Sequence, residues 1–452
     1  MKILNINRKT LLWLCAALFI TVTTSAQTKT APLAFKERKL DNGLRVITLQ
    51  DKSSPTVAVQ VWYNVGSKDD PNGKSGFAHL FEHLMFKSSK KLKSEQFDRL
   101  TEDVGGFNNA DTGDDRTRYY EVVPSNYLES ILWAEADRMV NLNVNQENFA
   151  SERDVVKEEF RQGVLAQPYG RFFNAIDRLS FQVHPYKRST IGNIAELDAA
   201  TLEDVRTFYQ TYYRPDGAVL IIAGDFDEKQ LNDWINKYFA GIKRPTTTIP
   251  RVTVQEPERT KEQRFVETAP NVPLPAIALT YLAPTSKSAD APALKVADAI
   301  LSDGESSRIY QEIVYKQQLA QNAGFQSDIR TDKGLLYFYA IAAGGKTLKQ
   351  LETSLLAEIK KAQDAPPTAK ELEKAKNKLL TNNLNELETN DGKATAIGEA
   401  VLYFNDASEV NRELEKLRAV TAADVQRVMK KYFTDTNRVV IYYQNETAKE
   451  TK

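Results

Sequence analysis

Cysteine occurs once in the 452 residues, as Cys15, which excludes a disulfide framework. Excess charge of either sign is also lacking. Lys plus Arg and Asp plus Glu each total 60, so the chain has no overall electrostatic footprint for nucleic acid. Long apolar runs are missing apart from residues 11–22, Leu-Leu-Trp-Leu-Cys-Ala-Ala-Leu-Phe-Ile-Thr-Val. That run is too short to cross a bilayer comfortably. Lys2, Arg8 and Lys9 precede it and Thr23-Thr24-Ser25-Ala26 follow it, the pattern of a secretory signal peptide, residues 1–26, cleaved near Ala26. Cys15 lies inside the run, behind Trp13 and Leu14, where a lipoprotein signal would place it after the run behind small residues. The mature chain is therefore expected to lack cysteine and any stable membrane anchor, and to be periplasmic or extracellular after crossing the inner membrane. Any metal it holds must be held by histidine and carboxylate.

Histidine is scarce as well: there are three, at positions 79, 83 and 184. Two of them fall in His79-Leu80-Phe81-Glu82-His83. On a helix, residues at i, i+3 and i+4 share one face. Two neutral imidazoles four residues apart can grip one metal ion, and Glu82 then points at the same place. Zinc is the usual occupant of such a pair, with the glutamate as base for a water activated by the metal. The order His-x-x-Glu-His inverts the commoner His-Glu-x-x-His protease motif. Phe77, Leu80, Phe81, Leu84, Met85 and Phe86 supply apolar positions for burying the same helix. His184 precedes Pro185 and reads as a structural or near-surface residue of a turn.

The length calls for two or more domains, and an internal repeat shows how they are built. Leu197-Asp-Ala-Ala-Thr201-Leu-Glu-Asp204-Val205 matches Leu417-Arg-Ala-Val-Thr421-Ala-Ala-Asp424-Val425 at a shift of 220 residues, Thr201 to Thr421. Each copy reads as a helix with threonine at the N-cap, followed by a strand, Ala218–Ile222 or Arg438–Tyr442. The two halves also begin alike: a strand Thr56–Tyr63 leads to the histidine helix, and a strand Pro275–Leu282 leads to a helix Pro292–Leu301 without histidine. Hairpins are expected around Asn42-Gly43 and Asp332-Lys333-Gly334. The expectation is an α+β fold of two homologous domains, each a mainly antiparallel sheet with helices packed on one side. The metal-binding domain would span 27–243, a linker 244–262, and the domain without ligands 263–447.

A catalytic zinc usually takes a third protein ligand and keeps one position open. The segment Glu147–Gly163 reads as a helix in which Glu152 and Glu159, seven apart, share a face. Its charge alone is also what a solvated surface helix would carry.

His79-x-x-Glu82-His83, followed after 75 residues by Glu159, resembles the pitrilysin/insulinase family of zinc peptidases, which includes the mitochondrial processing peptidase and two-subunit bacterial relatives. Glu152-Arg153-Asp154-Val155-Val156, Gly105-Gly106-Phe107-Asn108-Asn109-Ala110 and Thr117-Arg118-Tyr119-Tyr120 are similar to further family segments, so the resemblance covers essentially the whole mature chain. It implies one Zn2+ per chain bound by His79, His83 and Glu159, Glu82 as general base, and Glu152 orienting a histidine ligand. It also implies an edge strand near Asn109 and Ala110 that pairs with an extended peptide substrate by β-augmentation. One departure stands out. The Arg and Tyr that full-length active relatives carry seven apart in the second half fall here on Val314 and Gln321. The resemblance therefore implies a zinc metalloendopeptidase that works as the zinc-bearing subunit of a heterodimer, with a homologous partner supplying the Arg/Tyr pair. The alternative is a non-catalytic scaffold or peptide-binding subunit of the same fold.

Overall fold

The computed structural model describes residues 31–447. The expected signal segment 1–26, with Cys15, lies outside the described residues. Among those described, no helix is long and apolar enough to cross a membrane.

The first half is built on six strands: β1 (Lys36–Lys39), β2 (Arg45–Gln50), β3 (Thr56–Tyr63), β4 (Phe107–Thr112), β5 (Thr117–Pro124) and β6 (Ala218–Gly224). Their order across the sheet is β1-β2-β6-β3-β5-β4, and only the β2/β6 pair is parallel. The principal helices are α1 (Phe77–Leu84), α2 (Leu128–Asn141), α3 (Gln146–Phe160), α4 (Gly170–Ser180) and α5 (Leu202–Tyr212). The second half has β7 (Gln263–Ala269), β8 (Ala276–Leu282), β9 (Ala320–Asp328), β10 (Leu335–Ala342) and β11 (Arg438–Asn445), in the order β7-β11-β8-β10-β9. Its helices include α6 (Ala291–Ser302), α7 (Leu348–Asp364), α8 (Ala369–Glu386), α9 (Asn390–Phe404) and α10 (Ala422–Tyr432).

The two sheets have one topology, since β7-β11-β8-β10-β9 retraces β2-β6-β3-β5-β4, including the parallel β7/β11 pair. The shift of 220 separates the starts of β3 and β8, α4 and α9, α5 and α10, and β6 and β11. Thr201 and Thr421 cap their helices as the sequence implies, each in a reciprocal box with Asp204 or Asp424. The hairpins at Asn42-Gly43 and Asp332–Gly334 also form, joining β1 to β2 and β9 to β10.

Side chains alternate across each strand, so each sheet has two faces to cover. In the second half Ile277, Leu279 and Tyr281 of β8 enter one core, while Ala276, Ala278 and Leu282 enter another. The helices of each half cover one face of their own sheet. The opposite face is covered by a helix lent from the other half. α4 lays Phe172 and Ile176 on the β8/β11 face, and α9 packs on β3 and β6. The first of these contacts is mainly apolar, and the second adds a polar cluster around Gln60. Gln60 donates to Asp391 Oδ1 at 2.7 Å and to Thr395 Oγ1 at 3.0 Å. The Trp62 ring lies so close to Gly398 that a Cβ there would meet Cε2 at 2.2 Å. The connection between the sheets, residues 240–262, has no helix or strand and is strapped down along the body. Buried Glu256 accepts the amides of Gln182, Val183 and His184, and buried Arg259 donates to the carbonyls of Ser180, Thr280 and Asn437.

Candidate metal centre

The centre begins with how α1 is seated. Phe77, Ala78, Leu80, Phe81 and Leu84 are buried, which leaves His79, Glu82 and His83 together on the half-exposed face. Phe81 stacks on Phe208 at 5.3 Å, and Tyr119 of β5 donates its hydroxyl to the Phe81 carbonyl at 3.0 Å. At the N-terminus Gly76 has φ 95°, a left-handed conformation, and a Cβ there would meet the Ile191 carbonyl at 2.8 Å. The free amides of that first turn are taken by Asp70, which accepts from Gly76 N at 2.6 Å and Ala78 N at 2.9 Å. Nothing in the local sequence pattern had marked Asp70, seven residues before the helix.

α3 runs alongside α1 and brings Glu159 to both histidines. His83 Nε2 is 3.4 Å and His79 Nε2 3.7 Å from Glu159 Oε2. These three residues form a group whose donor atoms all lie within 4.8 Å of one another. A tetrahedral zinc with bonds of about 2.1 Å holds its ligand atoms about 3.4 Å apart. The spacing and the donor types, two imidazole nitrogens and one carboxylate oxygen, therefore fit Zn2+. Glu152, two turns back on the same face of α3, lies 3.6 Å from the other ring nitrogen of His83, and also contacts Lys87 Nζ at 2.8 Å and Ser151 Oγ at 2.9 Å. His79 has no such support, since its Nδ1 is buried without a protein hydrogen-bond partner.

The electrostatics separate these groups. Burial, and then the neighbouring His83, push His79 down to about 4, so this ring is neutral and ready to donate a lone pair. Burial also opposes charge on His83, but Glu152, Glu159 and Glu82 outweigh it and the net shift is upward. Burial raises Glu82 above the usual carboxylate range, helped by Glu159 and opposed by Thr112, His83 and Arg116. Glu152 moves the other way: burial raises it, but His83, Lys87 and Ser151 together hold it below the usual range.

The remaining expected residues are placed as follows. Asn109 and Ala110 lie on β4, an outer strand of the first sheet. The Ala110 amide donates to the Asn109 side chain at 2.8 Å. Val314 lies in a π-helical turn, Tyr310–Lys316, packed against the second core, and Gln321 is exposed at the start of β9. Nearby Arg308 is committed to Glu371 by two bonds of 2.6 and 2.9 Å. His184 is far from a ligand role: it is 1% exposed and its Nδ1 accepts the Tyr186 amide at 3.2 Å. No histidine follows His184, so the second half has no equivalent centre.

A duplicated α+β fold, with an inverted His-x-x-Glu-His helix facing a carboxylate helix in one copy, is the architecture of a peptidase class. The chain belongs to the insulinase family, peptidase family M16. The family model described as Insulinase (Peptidase family M16) matches residues 45–193, and that described as Peptidase M16 inactive domain matches residues 199–379. The chain is similar to the zinc protease PqqE of Helicobacter pylori, 30% identical over 438 residues that make up 96% of this chain and 98% of that one. It is 25% identical over 407 residues to a protein of Arabidopsis thaliana named probable mitochondrial-processing peptidase subunit beta, covering 88% of this chain and 76% of the relative. A crystal structure of a protease from Helicobacter pylori superposes with a TM-score of 0.87 at 29% identity, over 91% of this chain and all of that one.

Proposed function

We propose that this chain is the zinc-bearing subunit of a secreted metalloendopeptidase that cleaves extended peptides or unfolded segments. The observation that carries the reading is the convergence of His79 Nε2, His83 Nε2 and Glu159 Oε2, with Glu82 on the same helix face. In this reading 27–243 is the catalytic domain, 244–262 the linker and 263–447 the homologous domain. A zinc ion held by the three ligands would supply Lewis-acid polarisation of the scissile carbonyl and acidify water. Glu82, kept basic by burial, takes the proton of the attacking water and delivers it to the leaving amine. Glu152 holds His83 in orientation through its second nitrogen. The backbone of β4 aligns the peptide by strand pairing.

The absence of an Arg/Tyr pair at Val314 and Gln321 supports a second, homologous subunit as the source of those groups. The relative named as a mitochondrial-processing peptidase subunit favours the same arrangement. A purely scaffolding role would leave no use for Glu82, and the ligand set is complete. The test is turnover of fluorogenic peptides by the purified chain, alone and with a homologous partner from the same source. Activity is expected to rise strongly with the partner and to vanish reversibly on chelation. Full activity from the single chain would refute the two-subunit part. Glu82→Gln should retain zinc and lose about 10²–10⁴-fold in kcat, and unchanged turnover would refute the role of Glu82.

A further inference from the structure

Two loops flank the metal helix, and the half without ligands grips both. Ser67–Asp70 leads into α1, and Gly113–Arg116 joins β4 to β5. The loops are bonded to each other, Ser67 N to the Gly113 carbonyl at 3.1 Å, Lys68 N to the Asp114 carbonyl at 3.1 Å, and Ser67 Oγ to Asp114 Oδ1 at 2.8 Å. Into this junction the β9–β10 hairpin inserts Arg330, Thr331 and Asp332. Asp115, 5% exposed, collects four donors there: Lys68 Nζ at 2.7 Å, Tyr186 OH at 2.6 Å, Thr331 Oγ1 at 2.5 Å and the Thr331 amide at 3.1 Å. Arg330, 7% exposed, reaches Asp114 at 3.1 Å and Asp177 of α4 at 2.9 Å, and also pairs with Asp328. The Tyr186 ring lies 4.8 Å from its guanidinium.

Three carboxylates around one buried guanidinium are costly to desolvate and tolerate few alternative geometries. What they fix bears on the metal centre. The first loop ends in Asp70, whose carboxylate caps α1 through the amides of Gly76 and Ala78, and the second loop follows Thr112, the end of β4, the strand packed against α1. We infer that Arg330 and Thr331 are positioning residues: through this hairpin the metal-free half sets the spacing between Glu82 and the edge strand β4. The inference rests on the peptidase reading above. It gives the duplicated half a part in catalysis without a ligand of its own.

Thr331→Val deletes one hydroxyl at nearly constant volume, and Thr331→Ser restores it. Thr280→Val is the control, because Thr280, more deeply buried than Thr331, also lies in the second half but pairs with Ser180, at 2.6 Å, away from both loops. Zinc content, amide hydrogen exchange and peptide kinetics are measured for each full-length variant, with the partner subunit present in the kinetics. Thr331→Val is expected to keep its zinc, to exchange the amides of residues 107–116 about tenfold faster, and to lose about tenfold in kcat with KM changed less than twofold. Thr331→Ser should recover the wild-type values, and Thr280→Val should match wild type throughout. Wild-type exchange in 107–116, unchanged kcat, or acceleration spread over the whole chain would overturn the inference. If the wild-type protein cleaves no peptide with any partner, the peptidase reading fails instead. The latch is then decided by exchange: local acceleration in Thr331→Val alone upholds it, and any other pattern overturns it.

Discussion

At the scale of single residues, environment rather than identity assigns the parts. Two histidines on one helix face are shifted in opposite directions, because burial and the neighbouring His83 push His79 down while Glu152, Glu159 and Glu82 outweigh burial at His83. Glu152 and Glu159 look alike in sequence, yet one lies beside both histidine Nε2 atoms and the other beside the remaining nitrogen of His83. Glu152→Gln is therefore expected to preserve the fold and to weaken zinc about 10–100-fold, as measured by competition with a chromophoric chelator. Arg138 is the case that no local reading finds. It is fully buried behind the site, donating to Glu135 at 2.9 Å and Glu121 at 2.8 Å, with the Phe97 ring 4.0 Å from its guanidinium. In sequence it is one more charge on a helix. Arg138→Met strands both glutamates and should cost about 3–5 kcal/mol of stability, read from urea unfolding.

At the scale of elements, the histidine helix is short and is held mainly from outside. Eight residues cannot sustain a helix in water by themselves. The aromatic shelf under Phe81 and the Asp70 cap supply the stability. Burial pushes the Asp70 carboxyl up to about 7 from the usual 3.8. The folded state thus holds a proton that the unfolded state releases at lower pH. The contribution is present in full below about pH 4 and is lost as pH rises toward 7. Asp70→Asn is neutral at every pH, so its Tm should fall less than that of wild type between pH 5 and 7. Its Tm at pH 5 should be lower, since one of two accepted backbone bonds is gone. Scanning calorimetry at both pH values checks the two parts. An equally steep pH dependence in the variant would show that Asp70 does not titrate as described.

At the scale of the whole molecule, duplication has become mutual dependence. Each half gives a helix to the far face of the other's sheet, α4 in one direction and α9 in the other. The halves are consequently not independent folding units, although each has a sheet and core of its own. Residues 27–243 expressed alone would expose Phe172 and Ile176 of α4 and the Ala58, Gln60 and Trp62 face of β3. The fragment is expected to be insoluble or unfolded by circular dichroism, and to be rescued by coexpression with 244–447. A soluble, cooperatively melting fragment would contradict this view of the interface.

The chain sequence by itself determined the shared face of His79, Glu82 and His83 and the duplicated α+β build, because these rest on spacing along one helix and on a constant offset between copies; Glu159 entered only through the family resemblance. Period and offset are properties of the chain. Only the tertiary structure decided the rest: that Glu159 reaches both histidines, that Asp70 caps the metal helix from seven residues before its start, that each sheet borrows a helix, and that Arg330 grips the loops flanking that helix. Those contacts join residues tens to hundreds of positions apart. Their energies come from burial and pairing, which exist only once the two halves have closed on each other.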